Sequence, residues 1–185
     1  MYQEGYNKLF KGLIVVLIDI RLNNFNICPD ILGYIIIVSA LGILENQHSA
    51  YGKAKSFAIA LIFFSIPDIY QANNILDGIG VSNYNILFMI ISTIAGIMEL
   101  VLIYYISEGI INIAKDRGLN ELAEKADERW EGILVIEAII LISTPFYLNI
   151  NIDIFAIYLL GIGIIAFIMH ILFISLTKDI GKVLG

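Results

Sequence analysis

The chain has 185 residues, is 59% hydrophobic and only 15% charged, and carries a net charge of −6 with a mean hydropathy of +0.86. Soluble domains run near 25% charged, so this composition excludes an ordinary soluble domain, and it lacks the basic surplus that nucleic acid requires. One cysteine, Cys28, excludes an internal disulfide and any multi-cysteine metal site, and the length allows one domain, 1–185.

Six apolar segments follow in chain order: 9–20, 31–44, 54–70, 84–106, 132–150 and 154–176. They predict an all-α polytopic membrane bundle of about six transmembrane helices. Lys8 and Lys11 precede the apolar run 12–18, and no small-x-small cleavage site follows it, so the first segment reads as an uncleaved signal-anchor. The last three segments are long enough to cross a bilayer, whereas 31–44 gives only about 21 Å of helix. The first two either re-enter or span a thinned bilayer with Lys8, Lys11 and Arg21 snorkelling.

Charge fixes the orientation. Ten of the 11 Lys and Arg residues (Lys8, Lys11, Lys53, Lys55, Lys115, Arg117, Lys125, Arg129, Lys178 and Lys182) fall on one side, at or near segment ends; only Arg21 falls on the other. The positive-inside rule then places the N- and C-termini in the cytoplasm, with the protein in the plasma membrane. Tyr104, Tyr105 and Trp130 fall at the inner boundary, and Tyr70, Tyr84 and Tyr147 at the outer one.

Within the hairpin region 107–131, residues 115–131 form the one strongly charged stretch, where Leu122, Ala126 and Trp130 recur every four residues. Gly118 suits a left-handed helix end and Asn120 an N-cap. Helices four and five are therefore expected to join in a cytoplasmic helical hairpin. The small residues Ser92, Gly96, Gly161 and Gly163 are read as close-packing surface. Pro-Asp occurs twice, at Pro29-Asp30 and Pro67-Asp68, both assigned to the outer side.

Glu99 and Glu137 lie inside apolar segments, each 19 residues from Gly118, and Glu99, Glu137 and His170 lie 7, 5 and 6 residues from the inner ends of segments four, five and six. Ionisable groups within a bilayer are costly and mark functional sites. Two carboxyls and an imidazole suit a proton, a small solute or a cation, the metal being unknown; the alternative is a hydrogen-bonded cluster that ties three helices together. A second group, Asp19, Arg21, Asp30 and Asp68, reads as an outer vestibule or as loop capping. Glu45-Asn46-Gln47-His48 matches half of a di-iron motif, and the second half is missing. No Walker A, His-Glu-x-x-His, Gly-x-Ser-x-Gly or Rossmann pattern occurs. No cofactor is expected, and nothing points to an enzyme.

Residues 12–21 (Gly-Leu-Ile-Val-Val-Leu-Ile-Asp-Ile-Arg) and 25–34 (Phe-Asn-Ile-Cys-Pro-Asp-Ile-Leu-Gly-Tyr) resemble small multipass membrane proteins of low-GC Gram-positive bacteria. In those, a similar apolar helix leads into a Pro-Asp-x-x-Gly-Tyr turn. The resemblance covers about the first forty residues, implies a membrane location, and transfers no functional residue. In size and span count the chain is also similar to solute-binding subunits of energy-coupling-factor transporters. Three functions follow in order: binding or transport of a small solute or ion through Glu99, Glu137 and His170; a regulatory subunit that docks a protein partner through the hairpin; and an intramembrane enzyme. Lipid bilayer is the expected environment in each.

Overall fold

The computed structural model describes residues 2–18, 21–22, 25–26, 30–66, 83–143 and 152–184. Asp19, Cys28, Pro29, Pro67, Asp68, Tyr70 and Tyr147 lie outside them. The described residues form six helices: α1 (Tyr2–Leu17), α2 (Asp30–Leu44), α3 (Ser49–Phe64), α4 (Asn83–Asp116), α5 (Asn120–Ser143) and α6 (Ile152–Val183). Between α1 and α2, the two-residue strands β1 (Arg21–Leu22) and β2 (Phe25–Asn26) pair antiparallel, Arg21 opposite Asn26. Such a short ladder leaves the fold all-α. Each helix packs on its sequence neighbour, and α6 returns to α1, so the six close into a ring.

The core sits at one end of this ring. There Leu9, Leu41, Leu44, Ile106, Ile110 and Ile180 are wholly buried. Helix α4, at 34 residues, runs about 51 Å, while α1, α2 and α3, at 15 or 16 residues, reach less than half as far. The long helices are therefore covered at one end and stand exposed beyond it: Ile90 and Ile97 on α4 are 49% and 48% exposed, and Leu160 on α6 is 67% exposed.

Two of the helices, over Ile90–Asp116 and Leu160–Val183, are long and apolar enough to cross a membrane, and only 22% of each apolar window is buried. A core helix of a soluble protein would be mostly covered. The described part of α5 ends at Ser143, and its first half is charged, so it does not join them on length and composition.

Close approach of α1 and α2 depends on a reciprocal glycine pair. A Cβ at Gly12 would lie 3.0 Å from the Gly33 carbonyl oxygen and the Ile37 nitrogen; one at Gly33 would lie 2.9 Å from the Val16 nitrogen. The Ile37 Cγ1 and Val16 Cγ2 carbons lie nearer still, and behind them backbone faces backbone, which cannot swing away. The residues expected to pack closely do not all do so. Gly161 and Gly163 have open space around them, and Gly96 makes only an ordinary contact with Leu141. Glycines on α6 below the exposed stripe matter more: Gly181 receives the Cβ of Tyr6.

The ring is fastened by buried polar groups at its core end. Tyr6 donates to Gln47 Oε1 at 3.1 Å, Tyr51 donates to the Tyr6 oxygen at 2.9 Å, and Gln47 Nε2 donates to the Leu184 carbonyl at 3.0 Å. One network thus joins α1, the α2–α3 turn, α3 and the end of α6. Gly109 on α4 lies under the Tyr51 ring, where a Cβ would fall 2.7 Å from Cζ. Both tyrosines precede the apolar runs that begin at Leu9 and Ala54. Burial pushes the Tyr6 hydroxyl up to about 12, despite its bond to Tyr51 and the charge of Arg117, and burial likewise pushes Tyr51 up. Because the folded value exceeds the unfolded one, this stability is fully present below about pH 10 and is lost as pH rises through about 12. Alkaline melts should therefore show wild type losing stability over that window, and Tyr6→Phe losing less of it. Identical alkaline profiles for the two proteins would refute the assignment.

The hairpin between α4 and α5 has the expected geometry. Gly118 takes φ 72°, Gly118 N–H donates to the Lys115 carbonyl at 3.0 Å, and Leu119 N–H donates to Ala114 at 2.9 Å. These are the two bonds of a Schellman ending. Ala123 and Ala126 are buried, and Leu122 and Trp130 pack on the core, so the apolar face of the hairpin is covered by the bundle. The Glu45–His48 half-motif is used locally. Glu45 pairs with Lys55 at 3.0 Å, and His48 Nδ1 caps α3 by accepting from Ala50 N–H at 3.2 Å.

Candidate functional site

The α4, α5 and α6 helices each bring one ionisable side chain to a shared level. Helical rise sets that level when it is counted from the layer where Tyr6, Tyr51, Gly109 and Gly181 meet. At about 1.5 Å per residue, Glu99 lies about 15 Å above this layer and His170 about 16 Å. Trp130 packs at a tilt against Tyr104, with ring centroids 5.3 Å apart, and Glu137, two turns further along α5, comes to about 18 Å.

All three side chains are half-buried. His170 Nε2 lies 4.0 Å from Glu137 Oε1. Its Nδ1 is 2.9 Å from the Ala166 carbonyl, which can only accept, so Nδ1 carries a hydrogen. That bond fixes the ring orientation and leaves Nε2 as the position that gains or gives a proton toward Glu137. At 4.0 Å the pair interacts through charge, the spacing being too long for a direct hydrogen bond. Glu99 lies within electrostatic range of both Glu137 and His170. The structure thus pairs His170 with Glu137, and Glu99 reaches them through charge alone.

Asp30, which begins α2, is a further carboxyl whose charge reaches Glu99. The Gly33–Val16 contact registers α2 against α1 and puts Asp30 about 20 Å above the tyrosine layer. Sequence reading places Asp30 on the far face with Asp19, Arg21 and Asp68; the structure places it at the level of the glutamates. The signal was present in the 15-residue length of α2, too short to carry its first residue to the far end of α4. Asp19 and Asp68 lie outside the described residues, and Arg21 is described only through its backbone pairing with Asn26.

Chemically, the arrangement offers three carboxyls and one imidazole from α2, α4, α5 and α6. Such a group attracts positive charge and can store a proton. Among the described residues, no three His, Cys, Asp or Glu side chains are disposed to hold one metal ion. A divalent cation held by Glu99, Glu137 and His170 together is therefore not supported. Compared with protein-family models, curated proteins and solved structures, the chain matches none.

Proposed function

We propose that the protein is an integral membrane protein of the plasma membrane that binds and moves a proton or a small cationic solute through the Asp30, Glu99, Glu137 and His170 cluster. The observation that carries this reading is the convergence of Glu99, Glu137 and His170 from three separate helices at one level. Two of those helices, α4 and α6, are apolar and largely exposed. Carboxyls at such a depth are costly to keep, and that cost is offset only where they pair or do work.

The membrane reading draws support from the way charge gathers. The Tyr6–Gln47–Leu184 network and the bond from Arg117 Nη1 to the Val183 carbonyl, at 3.5 Å, tie the start of α1, the α2–α3 turn, the α4–α5 hairpin and the end of α6 together. Together with the start of α3, which bears Lys53 and Lys55, these segments carry ten of the 11 cations. This end faces the cytoplasm under the positive-inside rule. Phe57, Tyr105, Tyr104 and Trp130 form a continuous run of ring contacts across α3, α4 and α5 just above it, as an interfacial aromatic belt would.

The level of the cluster then falls about 10 Å into the hydrocarbon from that belt. A docking role for the hairpin has less to rest on, because its apolar face is already covered.

Two measurements test the proposal. Single cysteines at the two termini should react with impermeant reagents only after the membrane is opened; labelling of either from outside would overturn the orientation. Purified protein in sealed vesicles should move protons or a small cation down an imposed gradient. Vesicles no leakier than protein-free controls for every cation tried would refute transport.

A further inference from the structure

Beyond the ion site, the outer surface of the bundle carries a second arrangement, at the seam where α6 closes on α1. Lys178 places its ammonium 5.2 Å from the centroid of the Phe10 ring, and Lys11 follows Phe10 on α1. Both lysines are exposed, and neither has an ion pair among the described residues. Their neighbours differ: Lys8 pairs with Glu4 at 2.9 Å and Lys182 with Asp179 at 2.8 Å. The seam therefore keeps two cations outside any ion pair, Lys178 feeling Asp179 only through charge and held over an aromatic face.

Above Lys178 on the same helix runs an exposed apolar stripe. Ile171, Ile168 and Ile164 are 43%, 49% and 54% exposed. From Lys178 to Ile164 the helix rises about 21 Å, more than the roughly 15 Å thickness of one hydrocarbon leaflet. A cationic mouth with an apolar track of that length matches an acyl chain that ends in an anionic headgroup. Lys178 and Lys11 also lie within about one helical turn of the level of Tyr105 on α4, where Lys53 sits 5.2 Å over the ring. The headgroup level is thus marked on opposite sides of the ring.

We infer that the α1–α6 seam binds an anionic phospholipid, its phosphate held by Lys178 and Lys11 and one acyl chain lying along Ile171, Ile168 and Ile164. This inference rests on the membrane reading but not on transport. Cationic side chains near an anionic surface are each worth about fivefold in affinity. Two lysines holding one phosphate are thus worth roughly 25-fold together.

The test uses the full chain in vesicles and nanodiscs of phosphatidylglycerol or phosphatidylcholine, with retained lipid counted after gentle release. Wild type should retain phosphatidylglycerol preferentially. The Lys11→Gln/Lys178→Gln variant should lose that preference roughly 25-fold, and Lys182→Gln, whose lysine is already paired, should keep it. Inorganic phosphate at matched concentration should not compete; full competition would show a free-phosphate site and overturn the lipid assignment. Equal retention of the two lipids by wild type, or unchanged preference in the double variant, would overturn it too. Failure to float with either kind of vesicle would refute the membrane reading itself, a result distinct from floating without preference.

Discussion

Gly33→Leu is expected to force α1 and α2 apart and to lower the melting temperature more than any other single change on α2. The added side chain would start 2.9 Å from the Val16 nitrogen and 3.0 Å from the Gly12 carbonyl oxygen. Neither atom can move without its helix. Overpacking of a close contact costs about 1–3 kcal/mol even where side chains can adjust. With backbone on the opposing side, the upper end applies, about 3 kcal/mol. For a chain of this size that corresponds to a fall of about 6–12 °C. Thermal melts in detergent, followed by circular dichroism, would measure it. Gly161→Leu is the matched control, because nothing lies within 4 Å of a Cβ there. Equal melting temperatures for the two variants would show that the α1–α2 contact is not close.

The second large effect is expected at the carboxyls. Glu99→Gln with Glu137→Gln keeps shape and hydrogen-bonding capacity but removes two negative charges from the cluster. A hydrogen bond to a charged group contributes about 1.5–3 kcal/mol, so each loss should lower cation or proton binding roughly ten- to hundredfold. The pair should abolish measurable flux in vesicles while the melting temperature holds or rises, since two costly charges have left the interior. Asp30→Asn should weaken flux in the same direction, because its charge acts on Glu99. Full flux in the double variant would remove the cluster from the mechanism. Loss of flux with collapse of the fold would assign the cluster to structure, as the tie between α5 and α6 that the His170–Glu137 pair also provides.

Much of the helical layout is legible from local signals. Gly118 with φ 72° ends α4 where a left-handed residue was needed, and α5 begins at Asn120. The same local reasoning gives the gathering of lysines and the depths of Glu99, Glu137 and His170, because each depends only on counting along a helix. Reading fails where two helices must be set against each other. Gly161 and Gly163 look like packing residues by type, yet they face open space, whereas Gly12 and Gly33, 21 residues apart, pack backbone to backbone. Tyr6, Gln47 and Tyr51 carry no motif, and only folding shows that they share one network with Leu184.

The sequence by itself therefore determined the all-α class, the apolar character of the long helices, the end at which positive charge collects, and the hairpin at Gly118. All follow from composition, period and capping, which act within a few residues. Tertiary structure decided the ring closure of α6 on α1, the reach of the short helices, and how near Asp30 stands to Glu99. The physical reason is register: where one helix stands along another is set by backbone contacts such as Gly33 on Val16, and those join residues that no local pattern connects.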